Sequence, residues 1–358
     1  MKINNFSAGP SKIPQIVLGQ IAKDITDYQD LGYSVLELSH RSTIFEKILT
    51  QTKAKLIQIL DIPANFEIIF LQGGATFQNT FIPANKPSLL DNISFLISGT
   101  WGKKTHEDFQ KYYGKKIEKF DIPNVNLGMS HLISVVKRNQ SEYIYLTSNE
   151  TIEGIQIKDF NEVAHSNLLV DMSSDLGSYP FSFDKVSYIY AGAQKNMGIP
   201  GVTICLVNKD FLIDVDNSSY LNLKKLTTSN SVLNTPPTFS IFVLNLVTEW
   251  MIKSGGLDYF EKKSISQSNE LYKFLDENSN LFDFSSELRF RSKSNVVFKF
   301  KEDKYNDAFI KQANDSGIIG INGHRSVGGI RVSLFNSVDQ PMFNYFMDFL
   351  KKFINESL

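Results

Sequence analysis

Short apolar runs, each closed by Gly, Pro or a small polar residue, punctuate the first two hundred residues. They are Phe66–Leu71, Ile93–Ile97, Tyr143–Leu146, Leu168–Val170, 186–191 and 202–207. Runs of this length and punctuation read as buried strands. Helical patterns lie between or before them, over about 15–29, from Ser42 to about Leu60, and from Phe77 to Ile82. Strands alternating with helices predict an α/β fold with a largely parallel sheet. Further on, Pro236-Pro237 forces an extended entry and then starts a long apolar helix to about Met251. Gly255-Gly256 breaks it, and a charged helix follows to about Leu275. The character then shifts to strands at Leu288–Phe290, Asn295–Phe300 and Ile330–Leu334 with helices between and after them. This pattern predicts an N-terminal arm over 1–15, a large domain over 16–265 and a small α+β domain over 266–358.

In open parallel sheets, ligands gather beyond the carboxyl ends of the strands. Five features of this chain follow directly on predicted strands: the Gly73-Gly74-Ala75-Thr76 turn, Trp101, Thr151, Asp171 and Lys195. They are expected to converge on one site. A strand, a Gly-Gly turn and a helix start leave backbone N–H groups free to bind phosphate, although such turns also simply reverse a chain. Trp101 can stack on a flat ligand or cap the core. Asp171, followed by two serines, could equally be a helix cap. Lys195 lies in a loop of small residues just past the strand at 186–191. An ammonium there is costly to desolvate unless its pKa falls, and a desolvated lysine is the nucleophile that forms Schiff bases. Near the C-terminus, His324, Arg325 and Arg331 sit among glycines, and a guanidinium fork suits carboxylate or phosphate.

Composition narrows the field. The chain has 358 residues, 42% of them hydrophobic, with a net charge of −1. No basic excess points to nucleic acid and no charge block to a membrane surface. No apolar stretch approaches a membrane span, and the N-terminus lacks the apolar core of a signal peptide. The single cysteine, Cys205, lies inside an apolar run and reads as a small core residue in a reducing, cytoplasmic setting. The histidines have no metal-ligand spacing, and neither Gly-x-Ser-x-Gly nor His-Glu-x-x-His occurs.

The stretches Tyr190-Ala191-Gly192-Ala193-Gln194-Lys195-Asn196, Ser148-Asn149-Glu150-Thr151-Ile152-Glu153-Gly154, Asn234-Thr235-Pro236-Pro237-Thr238-Phe239, and Gly323-His324-Arg325 with Gly328-Gly329-Ile330-Arg331 together resemble the phosphoserine aminotransferases. Phe6-Ser7-Ala8-Gly9-Pro10 and His40-Arg41 fit as well. These are pyridoxal 5'-phosphate enzymes of the class V family with the aspartate-aminotransferase fold, fold type I. The resemblance spans essentially the whole chain. It implies that Lys195 carries the cofactor and moves the substrate proton, and that Asp171 pairs with the pyridine nitrogen. It further implies that Trp101 stacks on the ring, that Thr151 bonds near its 3-oxygen, and that Ala75, Thr76 and Gln194 hold the phosphate. Asn234 and Thr235 would reach the cofactor phosphate of a neighbouring subunit, so a homodimer with shared active sites is implied. Arg331 would clamp the substrate α-carboxylate. His40, Arg41, His324 and Arg325 would form the pocket for the substrate phosphate or the glutamate side chain. The implied reaction converts 3-phosphohydroxypyruvate and L-glutamate to O-phospho-L-serine and 2-oxoglutarate, in serine biosynthesis. The related phosphohydroxythreonine of vitamin B6 synthesis carries the same anions. An aminotransferase for a non-phosphorylated amino acid is the alternative, and it would not need the two His-Arg clusters. One departure stands out: many members carry an arginine in the Gly-Gly turn, where this chain has Thr76.

Overall fold

The computed structural model describes residues 2–114, 116–121, 128–138, 140–163, 167–284 and 287–357. Strands β1 (Asn4–Asn5), β2 (Phe66–Leu71), β3 (Ile93–Ile97), β4 (Glu118–Asp121), β5 (Tyr143–Thr147), β6 (Asn149–Glu150) and β7 (Ile155–Gln156) fill the first part of the chain. They are followed by β8 (Leu168–Asp171), β9 (Val186–Gly192) and β10 (Thr203–Asn208). Helices α1 (Gln15–Thr26), α2 (Thr43–Leu60), α3 (Gly74–Asn85), α4 (Thr100–Tyr113), α5 (Gly128–Val136), α6 (Leu223–Thr228) and α7 (Thr238–Lys253) accompany them.

Among the described residues, seven strands form the main sheet in the order β2-β10-β9-β8-β5-β3-β4. β10 pairs antiparallel with both β2 and β9, while the other pairings are parallel, so β10 alone runs against the rest. That reversal has a local consequence. Antiparallel neighbours can be joined by a short connection, whereas a parallel pair needs a crossover. The link from β9 to β10 therefore needs no crossover helix: it is the loop 193–202, and it contains Lys195.

The strands are apolar on both faces because both are covered. On β2, Ile68 and Phe70 face a core built with α1, α2 and α7, while Ile69 and Leu71 face one containing Phe81 of α3 and Phe109 of α4. On β10, Ile204 and Leu206 join the first core and Cys205 and Val207 the second, the alternation expected of a strand. Cys205 is fully buried and unpaired, as its apolar run predicts. Only the edge strand β4 departs from this, with exposed Glu118 and Lys119 in place of an apolar run. Its missing apolar run hides it from sequence reading, and charge on an edge blunts further pairing.

The remainder packs as a second unit. It comprises α8 (Gly256–Glu277), β11 (Phe282–Phe284), β12 (Asn295–Phe300), α9 (Lys304–Asp315), β13 (Ile318–Ile319), β14 (Ile330–Ser333) and α10 (Gln340–Ser357), with the antiparallel order β11-β12-β14. Leu288–Phe290, expected as a strand, is a 3-10 turn, and Phe282–Phe284 takes the place beside β12. The reason is burial: Phe290 is buried but Leu288 is exposed and Arg289 pairs with Glu162. The start of the N-terminal arm, residues 4–6, packs on this second unit. β1 pairs in parallel with β13, and Phe6 is buried against Phe346 at 5.4 Å between ring centroids. Among the described residues, no helix is long and apolar enough to cross a membrane.

Candidate active site

Five strands of the main sheet deliver chemistry to one rim. β2 ends in the turn at Gly73, whose φ of 97° lies in the left-handed region; a Cβ there would stand 2.5 Å from the Phe77 Cβ. Glycine is required, and the turn opens α3 with no side chain capping its first N–H groups. β3 runs through Ser98-Gly99 into α4 and its Trp101. β5 leads to Thr151, β8 ends at Asp171, and β9 passes into the loop bearing Lys195.

The convergence expected from the strand ends is what the geometry gives. Gly74, Ala75, Thr76, Trp101, Thr151, Asp171 and Lys195 all line one cavity of about 440 Å³, together with Gln194. The second unit contributes His324 and Arg331 to the same walls.

The Trp101 indole Nε1–H donates to Thr151 Oγ1 at 3.0 Å, which fixes the ring at the cavity wall. The His324 ring lies edge-on to it, 6.3 Å away. Asp171 is buried, and its Oδ1 accepts the Ser173 N–H at 2.8 Å, so the local turn-capping role holds alongside its exposure to the cavity. Burial raises the Asp171 carboxyl above its usual range, opposed by the charge of Lys195 and by hydrogen bonds from Ser173 and Tyr190. Lys195 shows the mirror image: burial lowers it toward the neutral amine, and Asp171 and Asp175 pull the other way. Asp175, fully buried, accepts from Ser148 at 2.5 Å, Gln156 at 3.0 Å and Tyr179 at 3.2 Å, and desolvation lifts it to about 6. Arg331 donates through Nη1 to the Thr151 carbonyl at 3.4 Å, while its Nε–H is buried with no partner. Burial lowers its pKa.

Other predicted residues lie elsewhere in the single chain. His40 is half-buried, with Nε2 enclosed and unpartnered, while Arg41, Arg325, Asn234 and Thr235 are exposed. None of these five lines the cavity. The Gln72 side chain holds the Thr235 carbonyl at 3.1 Å, beside the entry to α3.

Several site residues escape sequence reasoning. Ala8 and Gly9 of the arm line the cavity. Ser11 binds the loop twice, through its N–H to the Gln194 carbonyl at 2.9 Å and through its hydroxyl to the carbonyl of Lys195 itself. Tyr190 lines the cavity below Asp171 and meets the Tyr145 hydroxyl at 2.9 Å. Its place on β9, five residues before Lys195, was the available signal.

The donor set fits pyridoxal phosphate. An uncapped helix start suits a phosphate, a flat indole a ring, a buried carboxylate a protonated ring nitrogen, and a desolvated amine an aldehyde. A desolvated lysine and a buried aspartate at the carboxyl rim of such a sheet fit the class that the family match shows, a transaminase that uses pyridoxal phosphate. The description "Aminotransferase class-V" matches residues 3–342, and the chain belongs to that family. It is 36% identical over 353 residues to the phosphoserine aminotransferase of Lysinibacillus sphaericus (strain C3-41), covering 98% of this chain and 97% of the relative. A probable phosphoserine aminotransferase of Dictyostelium discoideum is 36% identical over 366 residues, covering 99% and 98%. Among solved structures, the phosphoserine aminotransferase from Bacillus circulans subsp. alkalophilus superimposes with a TM-score of 0.90 at 29% identity, covering 99% of each chain. The PLP-bound phosphoserine aminotransferase from Trichomonas vaginalis gives 0.87 at 27%, covering 98% of this chain and 100% of the other.

Proposed function

We propose that the chain transfers the amino group of L-glutamate to 3-phosphohydroxypyruvate, yielding O-phospho-L-serine and 2-oxoglutarate in serine biosynthesis. Full-length similarity to enzymes named for phosphoserine supports the substrate. The observation that carries the chemistry is the Asp171–Lys195 pair, a buried carboxyl and a half-buried, desolvated amine on one cavity that also holds Arg331.

When bound, pyridoxal phosphate supplies an electron sink for the substrate α-carbon. Asp171 keeps the proton on the ring nitrogen, and its own carboxyl is held in a dry setting where that charge pair is strong. Lys195 Nζ, shifted by burial toward its neutral form, takes the proton from the substrate α-carbon and returns it on the other side of the reaction. Gly74, Ala75 and Thr76 offer backbone and hydroxyl donors for the cofactor phosphate, with Gln194. Trp101 closes one face of the ring and Thr151 holds both the indole and the Arg331 guanidinium in register. Arg331 takes the α-carboxylate, and its unpartnered Nε–H is a donor waiting for an acceptor. His324 heads the pocket for the distal anion, with His40, Arg41 and Arg325 assigned to the same charge. A shared anion pocket lets one site accept both a phosphate and a glutamate side chain.

A homodimer completes this reading. Asn234 and Thr235, exposed in the single chain, reach the cofactor phosphate of the partner subunit. The single free thiol of Cys205 supports a cytoplasmic setting.

The test is the visible absorption of the cofactor-loaded protein before and after O-phospho-L-serine, with L-serine as control. Loss of the band with phosphoserine alone is expected. An equal response to both amino acids would discard the phosphorylated substrate, and absence of any band would overturn the role of Lys195.

A further inference from the structure

The first turn of α4 is held by two carboxylates from the segment after β5. The Trp101 N–H donates to Glu150 Oε2 at 2.9 Å and the Gly102 N–H to Oε1 at 2.8 Å. The Thr100 N–H donates to Glu153 Oε1 at 2.9 Å, and the Thr100 hydroxyl donates to the same oxygen at 2.5 Å. The remaining oxygen, Glu153 Oε2, is buried with no partner. Glu150 is fully buried. A Cβ on Gly99 would stand 2.7 Å from the Glu150 carboxyl carbon and would collide with Glu153 Oε2. Both carboxyl groups therefore lie against the same glycine, which leaves room for them.

A helix N-terminus welcomes one negative charge. Two unscreened carboxylates in one dry space repel each other, and like pairs resolve this by keeping a proton. We propose that Glu150 keeps a proton where its carboxyl lies against the same glycine as that of Glu153, and that this proton locks the first turn of α4, making Glu150 a positioning residue for the Trp101 indole. The inference rests on the reading in which Trp101 faces the cofactor ring.

The surrounding charges agree. Burial, then the charge of Glu153, raises Glu150 to about 8, with Asp171 adding to the rise and the N–H groups of Gly102 and Trp101 opposing it. Lys195 faces Glu150 from the loop after β9. Arg331 sits on the Thr151 carbonyl from β14, and Lys104 of α4 lies 5.9 Å from the Trp101 ring. Below the transition the pair carries a single charge matched to the helix end. Above it, a second charge is forced into the same space, and the turn carrying Trp101 loosens.

The experiment uses the full-length chain carrying Trp250→Phe, which leaves Trp101 as its one tryptophan. Its emission is followed across the alkaline range, with circular dichroism to establish folding of each variant. The parent is expected to change with a midpoint of about 8. Glu153→Gln removes the repelling charge and moves that midpoint down by about one unit or more. Glu150→Gln abolishes it. A flat parent titration, or one that persists in Glu150→Gln and so belongs to another group, overturns the proposal. Pyridoxal phosphate titrated by absorbance into the same chains separates positioning from mere structure. The ratio of affinities below and above the transition is expected to be about fivefold larger in the parent than in Glu150→Gln. Equal ratios overturn the positioning role. If Trp101→Ala binds pyridoxal phosphate as tightly as the parent, the placement of the indole on the ring fails instead, and the emission midpoints alone then test the proton kept by Glu150.

Discussion

Two regions of this molecule bury charge in different ways. In the C-terminal unit, Arg291 is buried among aromatic rings, with its guanidinium 4.9 Å from the Tyr272 ring and 5.0 Å from that of Phe284. Asp276 meets it with two parallel hydrogen bonds of 2.7 and 2.9 Å. Around this pair the core is phenylalanine packed on phenylalanine, with Phe309 touching Phe300, Phe349 and Phe353 at 5.1–5.5 Å between centroids. At the rim of the main sheet, Asp171, Asp175 and Glu150 are buried and Lys195 half-buried, all with shifted pKa values, and Arg331 Nε and Glu153 Oε2 have no partner. The first region satisfies its buried charge and gains stability. The second leaves it partly unsatisfied, the arrangement that a site awaiting a ligand requires.

The sharpest way to break this contrast is at Lys195. Lys195→Ala should lower turnover on the order of a thousandfold or more, because both the cofactor attachment and the proton carrier go. Its thermal midpoint should hold or rise, since the substitution removes a desolvated ammonium. Steady-state rates and a melting curve on one preparation decide the matter, and a fall in stability would contradict the contrast. Phe309→Ala should do the reverse. Opening a fully buried ring site costs about 4 kcal/mol, read as a lowered denaturation midpoint, with kcat of the surviving folded fraction little changed. Arg331→Lys is smaller: a point charge replaces a fork, and KM for the amino-acid substrate should rise about tenfold or more with kcat within a few fold. A kcat loss without a KM change would show that Arg331 does not bind ground-state substrate. The smallest effect is Asp276→Asn. Hydrogen bonds from Arg291 hold the Asp276 carboxyl below its usual 3.8. Its contribution is therefore present above about pH 4 and lost as pH falls through the depressed value. Asp276 is half-exposed, so the loss should stay near or under about 1 kcal/mol and should vanish in strong acid. A stability difference that persisted there would mean packing, not charge, is responsible.

The rim was legible because its residues follow apolar strands within a few positions, as Lys195 follows β9 and Trp101 follows β3. Parallel topology then brings such positions together without any pair contact having to be foreseen. What could not be read were contacts between distant segments. Ser11 reaches the Lys195 carbonyl across 184 positions, and Glu150 reaches the N–H groups of Trp101 and Gly102 across about fifty. Neither leaves a periodicity in either segment. Leu288–Phe290 failed for a related reason: three residues are too few to tell a strand from a turn when only Phe290 points inward. The charge of His40, Arg41 and Arg325 was legible as chemistry but not as position, because they lie off the single-chain cavity.

The docking of the arm sets an order of assembly during synthesis. β1 pairs with residues 318–319, and Ser11 then braces the carbonyl of Lys195. An early segment must wait for one some three hundred positions later before it finds its place, and such long-range closure is slow. The main sheet can close around a loop whose brace has not yet arrived. The support of the Lys195 loop thus depends on a contact between segments far apart in the chain, one that neither segment can make alone.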